Sequence, residues 1–177
     1  MKYLERWDDA TFRQFVEHYS DDIWNYAYFM TKSREAADDV SQEVFIKAYY
    51  HIAQFRGQSS IKTWLLTIAR HLALNHFRSA FVRKVMLVDY FVRNEASRSA
   101  EQEVLDQLAS KQIWELVLAL PRKHREVLVL DIHYGLSCKE MAGMLGIAEG
   151  TVKSRLSRAR SKITAQLKKE EAVYETI

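Results

Sequence analysis

The chain has 177 residues, 48% of them hydrophobic, with 26 Lys and Arg against 23 Asp and Glu, which is enough for one domain or two small ones with an apolar core. Five glycines and one proline leave little material for hairpins, while long runs of Glu, Gln, Ala, Leu, Lys and Arg favour helix. The single Cys138 excludes an internal disulfide, and no CxxC or His/Cys cluster is present for zinc, so an all-α protein of a reducing, cytoplasmic compartment is expected, with no metal and no cofactor.

At the N-terminus, MKYLERWDDATFRQF is interrupted by charges and lacks the apolar run of a signal peptide. No later segment reaches membrane-spanning length, so neither export nor insertion is expected. The net charge of +3 says little, because it sums blocks of opposite sign. Residues 1–43 hold 5 Lys/Arg and 10 Asp/Glu, whereas residues 44–88 hold 7 Lys/Arg and no carboxylate. At the chain's average density about six would fall in that window, so the gap points to a surface that meets a polyanion.

The segment SREAADDVSQEVFIKAYY predicts a helix capped by Ser33, with Val40, Val44 and Ala48 facing inward and Glu35, Asp38, Asp39, Gln42 and Glu43 along an acidic outer side. Composition alone favours ordinary surface charge for that side. Beyond it, Tyr49, Tyr50, Phe55, Trp64, Phe77 and Phe81 interleave with Lys47, Arg56, Lys62, Arg70, Arg78 and Arg83. Aromatic platforms beside a cationic track suit single-stranded nucleic acid. Trp64 and Phe77 are expected inside, since Trp64, Leu65, Ile68 and Leu72 follow helical spacing, and Tyr49, Tyr50 and Phe55 are the better contact residues. Between two helices, Phe55, Arg56, Gly57, Gln58, Ser59 and Ser60 form a polar loop small enough to make a pocket for an extruded base. Residues 89–110 turn acidic again, with 5 acids and 2 bases.

Leu136 to Ile163 then predicts two short helices joined by one turn. Ser137 and Glu140 form a capping box, Leu136 and Met141 are spaced as a hydrophobic staple, and Gly146 supplies the tight turn. In the second helix Val152, Leu156, Ala159 and Ile163 share an apolar face. Thr151, Ser154, Ser157, Arg158 and Ser161 lie opposite, flanked by Lys153, Arg155 and Arg160, which are placed to neutralise phosphates. A solvated amphipathic helix would explain the basic residues, but not a capping box, turn glycine and inward stripe in the right order. The pattern is a helix-turn-helix DNA reader. Ala148 stands at the expected N-cap of its second helix, where Ser, Thr, Asp or Asn would be better.

Taken together, DDVSQEVFIKAYY, FRGQSSIKTWLLTIARHLALNHFR and GTVKSRLSRARSKI resemble the sigma factors of bacterial RNA polymerase, in particular the small extracytoplasmic-function group. The likeness runs from about Phe12 to Ala80 for sigma region 2 and from about Lys111 to Leu167 for sigma region 4. It implies two small helical domains joined by a linker, with region 2 a helical bundle over residues 1–85, an acidic linker over 86–108, and the helix-turn-helix of region 4 over 109–177.

The resemblance further implies that Asp38, Asp39, Gln42, Glu43 and Phe45 dock the coiled coil of the polymerase's largest subunit, and that region 4 packs on the flap of the second-largest. The minus-ten element of promoter DNA would meet Tyr49, Tyr50, the loop from Phe55 to Ser60, Arg70, His71, Asn75 and Arg78. The minus-thirty-five element would be read by Glu149, Thr151, Lys153, Ser154, Arg155, Ser157 and Arg158. An anti-sigma factor, commonly membrane-bound in this group, is an implied partner, and the free chain is expected to be monomeric. His71 stands where the family commonly has Asn, and Ala148 where it commonly has Ser.

Three other classes remain open from the residues alone. An enzyme is disfavoured because His18, His51, His71, His76, His124 and His133 lack triad partners, no glycine-rich phosphate cradle exists, and the basic block carries no carboxylate for a nuclease metal. A duplex-binding repressor or activator would end in the same helix-turn-helix without needing polymerase. An adaptor would have no use for a basic aromatic block beside a groove reader.

Overall fold

A computed structural model describes residues 8–86 and 111–174, and the expected acidic linker lies outside them. The chain divides into two compact units, one within residues 1–97 and one within 98–177, and each is described by itself. All regular structure in the described residues is helical, and none of the described helices is long and apolar enough to cross a membrane.

The first unit is a three-helix bundle of α1 (Asp9–Thr31), α2 (Arg34–His51) and α3 (Ile61–Met86), with a single 3-10 turn at Ile52–Gln54. Asp8 caps α1 by accepting from the Thr11 backbone N–H at 2.7 Å. The helix stops at Lys32, which takes a left-handed φ of 58° and donates its N–H to the Tyr28 carbonyl. Ser33 then caps α2, accepting from the Ala36 N–H, so two adjacent caps fold the chain back on itself. Ile23, Tyr26, Phe29 and Met30 of α1, Ala37, Val44 and Ala48 of α2, and Leu65, Leu66 and Ala69 of α3 fill the core. Small alanines let the helices approach closely around the larger rings. Lys62 pairs with Asp22 at 2.6 Å, which ties α3 to α1 and takes this lysine out of the expected cationic track.

In the second unit, α4 (Lys111–Ala119) and α5 (Arg122–Ile132) precede the helix-turn-helix pair α6 (Cys138–Leu145) and α7 (Glu149–Tyr174). Every residue from His124 to Leu130 is buried, so α5 is the central helix of this unit. Its Leu130 is fully buried, as are Met141 of α6 and Val152 and Ala159 of α7. The Arg125 guanidinium donates to the carbonyls of Leu118 and Leu120 at 2.9 and 3.1 Å, satisfying the end of α4. Arg160 pairs with Asp131 at 2.7 Å, binding α7 to the end of α5.

The capping box forms as the spacing predicts, with Ser137 and Glu140 exchanging bonds and Leu136 and Met141 both buried beneath them. Gly146 ends α6 at φ 66°. Ala148 is the N-cap of α7, with its carbonyl accepting from Thr151 and Val152, while its side chain has nothing to offer the free N–H groups. Ala148→Ser is therefore expected to raise the stability of this unit by about 0.5–2 kcal/mol. An unchanged or lower melting temperature would argue against this placement of the helix start.

Candidate nucleic-acid interface

In the first unit the loop before α3 is shaped by its own residues. Phe55 donates its N–H to the Ile52 carbonyl, Gly57 takes a φ of 68°, and Ser60 accepts from the Thr63 N–H at 3.0 Å. Ser60 is thus the N-cap of α3, with its hydroxyl also engaged by the Thr63 hydroxyl. Between these anchors lies a cavity of about 310 Å³ lined by Gln54, Phe55, Arg56, Gln58, Ser59 and Trp64. The Phe55 ring stands 5.6 Å from the Trp64 ring, tilted by 51°. A pocket with an aromatic wall, a guanidinium and amide groups offers a planar base both stacking and edge-on hydrogen bonds.

Trp64 was expected in the core, and Phe77 with it, yet both are half-buried, and Trp64 forms a wall of this cavity. Its placement in the first turn of α3, just past the loop, is the signal that marks it. Down α3, at about 100° per residue, Thr67, His71, Asn75 and Arg78 fall on the same side as Trp64. His71, Asn75 and Arg78 are exposed, so a polar stripe runs along α3 on the side of the cavity-lining Trp64. Arg70 does not join it. It is half-buried and lies about 100° around the helix from His71.

The outer face of α2 holds a different set. Asp38, Asp39, Gln42 and Glu43 are exposed. Asp38 accepts from the Trp24 indole N–H at 2.6 Å, Trp24 stacks on Tyr28, and the Arg34 guanidinium lies 5.9 Å from the Trp24 ring. Glu43 pairs with Lys47 one turn on. Phe45 departs from expectation. It is only 7% exposed and meets the Phe15 ring edge-on, so it supports the helix from inside and presents no docking surface. The apolar group on the outer face is instead Ile46, 57% exposed, a residue the sequence reading passed over. Tyr49 and Tyr50 continue that face at 41% and 74% exposure, with Tyr49 edge-on to Phe12, and neither lines the loop cavity.

In the second unit, Val152, Leu156 and Ala159 are buried and Ile163 is half-buried. Glu149, Lys153, Ser154, Ser157 and Arg158 are exposed, while Thr151 and Arg155 are half-buried at the edge. Ser154 donates its hydroxyl to the Thr151 carbonyl, so its outward surface is small. Arg160, expected on a phosphate, is held by Asp131. Glu140 sits below the usual carboxylate range because the Ser137 hydroxyl and N–H donate to it. Burial, and then repulsion from Arg122, lowers the Arg125 guanidinium to about 10, so it remains charged at neutral pH. His124 is covered, with neither ring nitrogen partnered, and burial followed by nearby cations pushes it below the ordinary histidine range.

Comparison with known proteins gives the family of the chain. The family model of sigma-70 region 2 matches residues 15–80, and that of sigma-70 region 4 matches residues 110–163. The chain is 33% identical over 150 residues to the ECF RNA polymerase sigma factor BldN of Streptomyces coelicolor, covering 84% of this chain and 57% of that longer relative. It is 30% identical to the ECF RNA polymerase sigma factor SigW of Bacillus subtilis, with 95% of each chain covered. It is 32% identical to the RNA polymerase sigma factor YlaC of the same organism, with 96% of each covered. Among solved structures, the sigma factor RpoE in complex with the anti-sigma factor NepR from Bartonella quintana superposes at a TM-score of 0.70 and 26% identity, covering 89% of this chain and 96% of that one. The chain belongs to the sigma-70 family, among the extracytoplasmic-function sigma factors of RNA polymerase.

Proposed function

We propose that this sigma factor directs core RNA polymerase to its promoters by dividing the work between its two units. The outer face of α2, with Asp38, Asp39, Gln42, Glu43 and Ile46, docks the coiled coil of the largest subunit, and the second unit packs on the flap of the second-largest. The cavity at Phe55 to Ser59 and Trp64 holds a base flipped from the minus-ten element, and His71, Asn75 and Arg78 follow the strand. Exposed Tyr49 and Tyr50 extend the docking face of α2. The acidic segment over 86–108 joins domains at 1–85 and 109–177. Strand opening needs no hydrolysis on this reading, because binding of the unstacked strand offsets a melting cost of a few kcal/mol per extruded base.

The observation that carries the proposal is that the one glycine-containing polar loop of the carboxylate-free block encloses a cavity walled by two aromatic rings. In the test, bacterial core polymerase with the purified chain is assayed on candidate promoters. Promoter-specific transcripts that vanish without the chain support it, and failure on every promoter rejects it.

Region 4 reads the minus-thirty-five element through α7, where Glu149, Thr151, Lys153, Ser154, Arg155, Ser157 and Arg158 surround the groove-facing side. Arg158→Ala is expected to cost about 1–3 kcal/mol and to relax preference at one base position. A uniform loss over all sequences would make Arg158 a phosphate contact instead. The likeness to a sigma factor crystallised with its anti-sigma factor supports a protein of that class as a further partner.

A further inference from the structure

On the exposed outer face of α2, Asp38 is held in a way of its own. Its Oδ1 accepts from the Trp24 indole N–H at 2.6 Å, a bond that reaches across from α1. Glu43, by contrast, pairs with Lys47 of its own helix. Trp24 is itself fixed. Its ring lies 5.5 Å from that of Tyr28 one turn on, with the two planes 3° from parallel, and Tyr28 is only 2% exposed. The Arg34 guanidinium sits 5.9 Å from the same indole. An indole anchored through a buried tyrosine thus offers its N–H to a carboxylate in solvent.

Little of this serves the bundle. α1 and α2 are already joined through buried Ile23, Tyr26, Phe29, Ala37 and Val44, and by the adjacent caps at Lys32 and Ser33. A bond between side chains in contact with solvent adds little to such packing. What it changes is the freedom of the carboxylate. An exposed aspartate turns among rotamers, and a partner that needs one of them must stop that motion on binding. Trp24 has stopped it beforehand. A carboxylate offers about four lone-pair sites, so one bond at Oδ1 leaves the rest for a guanidinium or ammonium group.

We infer that Trp24 is a positioning residue of the polymerase-docking face, holding the Asp38 carboxylate in the orientation that receives a cationic side chain of core polymerase. The inference rests on the proposal that the outer face of α2 docks core polymerase, and it extends the working part of that face onto α1.

The test is a double-mutant cycle on the affinity of the labelled full chain for bacterial core polymerase. Trp24→Phe keeps an aromatic ring against Tyr28 but has no N–H to donate, and Asp38→Ala removes the carboxylate. Trp24→Phe should weaken core binding by about two- to tenfold, which corresponds to the cost of immobilising one side chain. In the Asp38→Ala background the same substitution should have no further effect. Trp24→Met serves where the Phe variant fails to fold, since a thioether also packs on an aromatic ring and has no proton to give. In the free chain the Trp24 indole N–H resonance should move on Asp38→Ala, and an unmoved resonance overturns the inference. An affinity loss that persists in the Asp38→Ala background reports packing and overturns it too. A loss on Asp38→Ala with none on Trp24→Phe removes the positioning role alone, whereas full affinity for Asp38→Ala takes Asp38 out of the docking face and the inference with it.

Discussion

Phe55→Ala is expected to reduce open-complex formation by roughly 5- to 150-fold while leaving affinity for core polymerase unchanged. The ring is half-buried and leans on Trp64 rather than on the core, so its removal opens a wall of the cavity without hollowing the bundle. Stacking of one base on an aromatic side chain is worth about 1–3 kcal/mol, which sets the range. Core affinity should hold because the face built from Asp38, Asp39, Gln42, Glu43 and Ile46 belongs to α2, whose own bonds to Trp24 and Lys47 do not involve the loop. Permanganate footprinting of melted thymines, beside a direct measurement of core binding, separates the two. Unchanged melting would take the loop out of the mechanism.

In the second unit the largest expected effect comes from a buried charge. Arg125→Leu keeps much of the buried volume but leaves the carbonyls of Leu118 and Leu120 without their donor. Each buried acceptor so abandoned costs about 1–3 kcal/mol. Relief from burying a guanidinium offsets part of that, so the net loss should be about 2–4 kcal/mol. For so small a unit this is roughly 10–25 °C in melting temperature. Arg125→Lys should recover part of the loss, since both bonds come from one guanidinium nitrogen, Nη1, whose place an ammonium on a shorter side chain takes only in part. Equal melting temperatures for wild type and the Leu variant would show that the bridge contributes nothing.

Local signals carried far in this chain. The Ser137 and Glu140 box, the Gly146 turn and the inward stripe of α7 depend on spacings of three and four residues, and the sequence displays them directly. The loop cavity was legible too, because a polar stretch between two apolar patterns has to leave the core. Contacts between helices were not. Trp24 meets Asp38 across 14 positions and Arg160 meets Asp131 across 29, and no periodicity reports which charge will find which partner. Arg160 therefore read as one more phosphate contact. Phe45 is a different lesson. At about 100° per residue it lies beside Ser41 and Ala48 on the buried side of α2, so its spacing already placed it inside, and likeness to a family drew it outward. His124 and Arg125 stand in the polar stretch RKHR, and only tertiary packing shows that both are covered.

Trp64 is shared by the loop cavity and the polar side of α3, and Ser60 clamps the start of that helix. On the proposed function, base capture and strand tracking are therefore built on a single stiff rod with a fixed origin. From Trp64 to Asn75 the helix rises by about 16 Å, with no hinge between them to take up slack. Such a unit is a ruler as much as a reader, and it tolerates a changed letter in the DNA more readily than a change in the number of letters.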